Sequence, residues 1–252
     1  MPIALADAAR HLRRRLPRDE PRLLAAWHAL LTGHGECLVD RWPAPKVFVV
    51  VCGSNQALVA EPEDLEPEEL HAVLDGFVEA PQSVAPTLRS VVGAVEWPRV
   101  NLLQEAPTVI ARTARVRRLT QADARHLELL GAESQWIWNT WGGADGLAAS
   151  GMAYGAFVAR RLVSVACTFF VSPRFEDVGV VTEPEFRGRG LSSQCVAALC
   201  GAIRRRRRVP SWGTSPDNAA SLRVAEKLGF SLHHTDRVWV FGRSVPRPAV
   251  YP

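Results

Sequence analysis

The segment Asp177-Val-Gly-Val-Val-Thr-Glu-Pro-Glu-Phe-Arg-Gly-Arg-Gly-Leu-Ser-Ser-Gln194 decides how this chain is read. Its start, Asp177 to Thr182, is β-branched and strand-like, whereas Leu191 to Ile203 carries apolar residues at helical spacing. Arg187-Gly-Arg-Gly190 lies directly between the two. Two glycines at the mouth of a helix leave backbone N–H groups unshielded by side chains, at the end where the helix dipole is positive. A turn of this kind is a site for an anion.

Downstream, Val209 to Thr214 reads as another strand, Asn218 to Leu228 as a helix and Arg237 to Phe241 as a last strand. Upstream, RVRRLTQADARHLELL reads as a strand, a Thr120 N-cap and a helix, with Asp123 three residues after the cap. A Trp- and Gly-rich stretch follows, then two apolar strands, Ala153 to Ala159 and Leu162 to Val171, joined at Arg160-Arg161. This order predicts a mixed, mostly antiparallel sheet flanked by helices over residues 111–252.

Residues 1–110 have their own pattern. Leu5, Ala9, Leu12 and Leu16 recur at helical spacing, and Leu23 to Leu31 resumes it after Pro17 and Pro21. ECLVDRW, KVFVVVCG and QALVAE are short apolar runs separated by turn residues, as in an antiparallel meander. Two amphipathic stretches, about Pro67 to Phe77 and Ala85 to Val95, lead to a strand at Arg99 to Gln104. The chain is thus expected to hold an N-terminal α/β region and a second α/β domain.

Composition narrows the classes. Of 252 residues, 47% are hydrophobic and 22% charged, which is ordinary for a globular protein. The net charge of +4 is modest, with Lys46 and Lys227 the only lysines beside the arginines, and is weak evidence for nucleic acid, which is not the expected partner. Five cysteines form no C-x-x-C pair and have no His at zinc-site spacing, which predicts neither a metal site nor a disulfide framework. No apolar run approaches the roughly 20 residues that span a bilayer, and the N-terminus lacks a signal-peptide core. A soluble cytoplasmic protein is expected.

Val180 to Leu191 resembles the acyl-CoA binding motif of the GNAT superfamily of N-acyltransferases, R/Q-x-x-G-x-G/A. Arg187, Gly188, Arg189, Gly190, Leu191 and Ser192 fill it, with Ser192 in place of the final Gly or Ala. Asn218-Ala-Ala-Ser-Leu-Arg-Val-Ala-Glu-Lys-Leu-Gly-Phe230 is similar to the family's second motif, N-x-x-(A/S)-x-x-x-x-E-K-x-G-F. From Arg115 to Phe241 the chain is most like the subgroup that includes the zwittermicin A self-resistance acetyltransferase. Residues 1–110 are read as a degenerate GNAT-like half without the phosphate motif, completing the acceptor groove or a homodimer surface.

The resemblance implies a function and a set of residues. Backbone amides from Gly188 to Ser192, with Arg187 or Arg189, would hold the diphosphate of acetyl-CoA or another acyl-CoA. Val180, Val181 and Thr182 would pair with the pantetheine arm, and Asn218 and Ser221 would form the other wall of that cleft. Glu176 or Asp177 would take the proton of the acceptor amine; alternate strand residues face opposite sides, so only one can reach the cleft, and family position favours Asp177. Many members carry a Tyr acid just before E-K-x-G-F, but Ala225 stands there. The implied reaction is N-acylation of a small amine-bearing metabolite, in antibiotic resistance or natural-product biosynthesis.

Other readings coexist with these. Trp136, Trp138, Trp141 and Trp212 either wall an acceptor pocket or anchor the core. The donor acyl group could be tethered to the phosphopantetheine of an acyl carrier protein rather than to CoA, with Arg187, Arg189 and Arg223 meeting the carrier. Arg204 to Arg208 either cap the negative end of the preceding helix or mark a non-catalytic CoA- or RNA-binding module.

Overall fold

Leu12 and Leu16, one helical turn apart with Ala8, are buried against the first sheet strands, so the opening helix docks by a single apolar stripe. The computed structural model describes residues 1–110 and 114–246. Its N-terminal part runs β1 (Pro2–Ile3), α1 (Leu5–Arg15), α2 (Leu24–Thr32), β2 (Glu36–Val39), β3 (Phe48–Cys52), β4 (Asn55–Val59), α3 (Pro67–His71), β5 (Gly76–Glu79), α4 (Ala85–Ser90) and β6 (Val95–Gln104). There follow β7 (Arg115–Arg118), α5 (Ala124–Glu128), α6 (Ala144–Ser150), β8 (Ala153–Val158), β9 (Arg161–Val171) and β10 (Phe175–Thr182). The chain continues through α7 (Leu191–Arg205), β11 (Val209–Thr214), α8 (Ala219–Lys227) and β12 (Phe230–Phe241). A mixed sheet flanked by helices is what the residue pattern predicted. The expected junction at residues 110 and 111 borders 111–113, which, like Tyr251, lie outside the described residues.

Among the described residues, twelve strands form one sheet, in the order β1-β2-β3-β4-β5-β12-β6-β11-β10-β9-β8-β7. Neighbouring pairs are antiparallel except β4 with β5 and β10 with β11. The two parts exchange their last strands: β6 of the first pairs with β11, and β12 of the second pairs with β5. The exchanged strands also pair with each other, from Phe230 opposite Gln104 to Val240 opposite Val95. Neither part can leave without breaking ladders of the other, so the centre of the sheet is shared.

Each face has its own core. Leu191, Cys195, Val196, Leu199 and Ile203 of α7 are buried on one face with Trp212, Ala225 and Phe230. Leu127, Ile137, Trp141 and Leu147 pack on the other face, above β8 to β10. Each such side chain, fully buried, contributes about 1.5–3 kcal/mol. At Thr120 the expected cap is realised as a capping box, with Asp123 returning a bond to the Thr120 N–H.

Two element boundaries differ from the residue pattern. The amphipathic stretch after Pro67 is helical only to His71, and Phe77 lies in a strand. Gly76 has φ of 76°, and a Cβ there would lie 2.3 Å from the Ser54 carbonyl oxygen, so the backbone turns sharply into β5. The last strand begins at Phe230, well before Arg237, because β6 pairs with it past an irregularity between Leu232 and His234. Its polar, exposed start hides that pairing in sequence.

Candidate active site

Strands β10 and β11 part company at Val178. They pair in parallel only from Phe175–Asp177 to Val209–Ser211; beyond that β11 is bonded to β6 and β10 stays on β9 as far as Thr182 opposite Ser164. The facing edges therefore carry unmatched backbone groups, which a ligand with amides can satisfy. A register shift in the β9 ladder between Asp177 and Val178 marks the start of the divergence. A cavity of about 1050 Å³ opens here, lined by Val180, Val181, Thr182, Gly188, Gly190, Leu191, Ser192, Asn218 and Ser221 among others.

The floor of the cleft ends in the arginine–glycine turn. Gly188 has φ of 73° and Gly190 φ of 71°, and a Cβ on either would meet no protein atom within 4 Å. The turn thus demands the left-handed backbone and leaves open space beside it, next to the mouth of α7. Arg187 bridges its two sides, donating from Nε to the Thr182 carbonyl at 3.0 Å and from Nη2 to Glu133 at 3.2 Å. Arg189 folds back instead, donating to the Glu185 carbonyl at 2.9 Å with its guanidinium over the Phe186 ring. On the opposite wall, Asn218 Oδ1 caps α8 by accepting from the Ser221 N–H at 3.1 Å, and Ser221 Oγ accepts from Trp212 Nε1 at 2.9 Å.

Glu176 and Asp177 face opposite ways. Glu176 is fully buried on the α7 side, where it accepts from Arg206 at 2.8 and 2.6 Å, Arg208 at 3.2 Å and Thr168 Oγ1 at 2.5 Å. Burial opposes its ionisation, but the two guanidinium groups and the hydroxyl outweigh it and hold the carboxyl below its ordinary range. It is a structural anchor away from the cleft, and as a candidate base it is set aside. Asp177 lines the cavity and accepts from Ser211 Oγ at 3.1 Å. Burial at the bottom of the cleft pushes its pKa up to about 7, against the opposing pull of Arg99.

A family model described as GNAT acetyltransferase matches residues 21–238. The chain belongs to the GNAT acetyltransferase family. It is similar, at 38% identity over 182 residues, to an uncharacterised N-acetyltransferase in the mutA 5′ region of Streptomyces virginiae; the match covers 70% of this chain and 76% of that one. Its fold is similar to that of a GCN5-related N-acetyltransferase-like protein from Streptococcus suis, with a TM-score of 0.72 at 18% identity over 94% of this chain and 99% of the other. A tandem GNAT protein from the clavulanic acid biosynthesis pathway shares it at a TM-score of 0.57 and 14% identity, over 95% and 96% of the two chains. As a member of the family, the chain is an N-acyltransferase.

In this GNAT acyltransferase the four singled-out tryptophans separate. Trp136 is 41% exposed and lines the cavity, its ring 5.3 Å from that of Phe169. Trp141 is buried in the core and donates from Nε1 to the Thr168 carbonyl, and Trp138 packs against the same cluster. Trp212 is 2% exposed, wedged under α7 and α8 with one edge reaching the cleft. Trp138 and Trp141 are therefore core anchors, because the 3-10 segment that carries them, Ala132–Trp141, lays one face on β9.

Ala225 is fully buried in α8, so that position supplies no acid. Of the arginine run, Arg204 bonds Gln104, Arg206 and Arg208 bond Glu176, and Arg205 and Arg207 are exposed. The run is thus in large part an internal clamp at the end of α7, which removes the geometric basis for an RNA-binding stripe. Among the described residues no helix is long and apolar enough to cross a membrane, and no cluster of three metal-ligating side chains occurs.

Sequence reading missed one part of the site. Phe77, Glu79, Trp97 and Arg99 of the N-terminal region line the same cavity as Asp177. They come from β5 and β6, about 80 to 100 residues earlier in the chain. The one signal was alternation in β6, which puts Trp97, Arg99 and Asn101 on a single face.

Proposed function

We propose that this chain transfers an acetyl or other acyl group from coenzyme A to the amine of a small metabolite. The observation that carries the reading is the parting of β10 and β11 above the Gly188 to Gly190 turn. The pantetheine arm would lie along Val180 to Thr182, and the diphosphate would meet the amides from Gly188 to Ser192. The open space at both glycines fits such a group, because the backbone can approach it where a side chain would intrude. A carrier-tethered phosphopantetheine brings one phosphate rather than a diphosphate, so CoA makes fuller use of this turn.

Asp177 is the assigned base. It would accept the proton of the acceptor ammonium, directly or through water, so that the neutral nitrogen attacks the thioester carbonyl and the carbon–sulfur bond breaks. A pKa of about 7 suits that transfer near neutral pH. With Ala225 in place of a tyrosine, solvent at the cleft mouth would protonate the departing thiolate.

Residues 1–110 are read as a degenerate GNAT-like half. In support, parallel β4 and β5 beside the exchanged β12 repeat the arrangement of parallel β10 and β11 beside the exchanged β6. After β4, however, the chain reads Ala60-Glu-Pro-Glu-Asp-Leu65, acidic where the second half has Arg-Gly-Arg-Gly. An anion would be repelled there, so one donor site per chain is assigned. The acceptor is read as an antibiotic or natural-product amine, on the likeness of the phosphate and Asn218 segments to the zwittermicin A resistance subgroup.

Isothermal titration with acetyl-CoA and free CoA, followed by thiol-release assays over a panel of amines, tests the reading. Saturable binding of both and release with some amine are expected. Absence of binding by either would remove the donor assignment.

A further inference from the structure

The strand registers set one row of residues across the centre of the sheet, all on the face of Asp177. Phe77 and Glu79 come from β5, Asp236 and Val238 from β12, Trp97, Arg99 and Asn101 from β6, and Ser211 and Gly213 from β11. Within this row Arg99 is rigidly held. Its Nε and Nη2 donate to Asp236 at 2.9 Å each, its Nη1 lies 2.7 Å from Glu79 Oε1, and Asn101 braces Asp236 at 2.8 Å. Glu79 is tied in turn by the Leu24 N–H at 2.8 Å.

Gly213 explains how this cluster reaches Asp177. Its backbone amide lies on the Asp177 side and favours the ionised carboxylate. A Cβ at 213 would lie 3.3 Å from Arg99 Cδ and 3.8 Å from its Nη1, so Arg99 lies flat across the glycine. No side chain of that residue separates the guanidinium from the carboxylate. One cation thus stands among three carboxylates, two of which it already pairs with directly. Asp177, which is not one of those two, is the member left to carry a proton.

Resting on the assignment of Asp177 as base, we propose that Arg99 and Glu79 are positioning residues supplied by the N-terminal half: Arg99 favours the ionised, proton-accepting form of Asp177, and Glu79 opposes it. The degenerate half is then part of the catalytic apparatus, because its charges set the pH at which the acceptor amine loses its proton. Burial raises the pKa of Asp177 most, Arg99 lowers it and Glu79 raises it, which agrees with these signs. The titratable groups around Asp177 are Arg99 from β6, Glu79 from β5, Asp236 and His234 from β12 and Cys167 from β9, while Ser211 and Gly213 face it from β11. Glu133 of the covering segment also lines the cavity and pairs with Arg187.

The test is the pH profile of kcat/KM, measured with the affinity for free CoA, in four variants. Glu79→Gln keeps the shape of the side chain and should move the acid limb down by about half to one pH unit. Arg99→Met should move it up, and Gly213→Ala, which displaces Arg99 without deleting it, should move it up by less. CoA affinity should stay within about twofold in all three, because the row lies off the diphosphate turn. Since Arg99→Met strips the partner from two carboxylates, Glu79→Gln and Gly213→Ala carry the test if that variant does not fold. Limbs that stay in place in both, with Asp177→Asn inactive, overturn the proposal and leave Asp177 as base. Undiminished turnover in Asp177→Asn overturns the base assignment and this proposal together.

Discussion

Glu176 and Asp177, adjacent on β10, point to opposite faces of the sheet and meet opposite fates. Glu176 is locked between Arg206 and Arg208 with no access to the cleft, and Asp177 stands on its floor beside Ser211. Strand alternation makes their roles exclusive. Removing each should therefore produce a different phenotype.

Glu176→Ala should lower stability by about 1–3 kcal/mol, since it leaves two half-buried guanidinium groups and the Thr168 hydroxyl without their carboxylate. Donor affinity of the remaining folded protein should be unchanged. Chemical denaturation read beside CoA titration checks this; a loss below about 1 kcal/mol would mean that solvent already screens the cluster.

Asp177→Asn should reduce kcat by about 10²- to 10⁴-fold while CoA affinity holds. The same change alters the pH dependence of stability. Because the folded-state pKa of Asp177 lies above that of an unfolded Asp, the unfolded chain ionises first, and stability falls as pH rises from about 4 to about 7. Above about 7 this contribution is flat. Denaturation midpoints of the native chain and Asp177→Asn across that range should converge at low pH and diverge towards neutrality, with the variant the more stable.

At Gly190, alanine places a methyl group in the open space of the cleft and strains a residue with φ of 71°. The strain should cost about 1 kcal/mol. Donor affinity should fall further, by about tenfold or more, as a charge-assisted hydrogen bond to the diphosphate is lost. Melting temperature and CoA dissociation constant measured on one sample separate the effects. A β-branched residue would be a poorer probe, because the left-handed backbone itself would resist it.

Trp141→Ala should cost about 3–5 kcal/mol, the usual loss for a buried tryptophan, with the Thr168 carbonyl left unpaired as well. Trp136→Ala should alter stability by less than about 0.5 kcal/mol, since its ring is largely at the cavity wall. Its effect should fall on the KM of the amine. Equal stability losses in the two variants would contradict the division of these rings into wall and core.

The residue order alone was enough to place the elements that line the cleft between β10 and β11. The β-branched run before Thr182, the two glycines after it and the capping residues at Thr120 and Asn218 act through backbone geometry within a few neighbours, and such local rules are written in adjacent residues. The same locality explains why Gly188, Gly190 and Asn218, which line one cavity, were legible as a candidate site before any contact was seen. Whether Trp136 or Trp141 met the cavity was not legible, because both sit in one 3-10 segment and only its docking on β9 chooses the buried face. Nor could neighbours in sequence reveal that β6 and β12 change places, since strand pairing across 126 residues, from Gln104 to Phe230, is set by which sheet edges remain unpaired when the two halves meet. That exchange brings Arg99, Glu79 and Asp236 to Asp177. Their chemistry depends on burial together and on charge at short range, which are properties of the assembled sheet and of no segment within it.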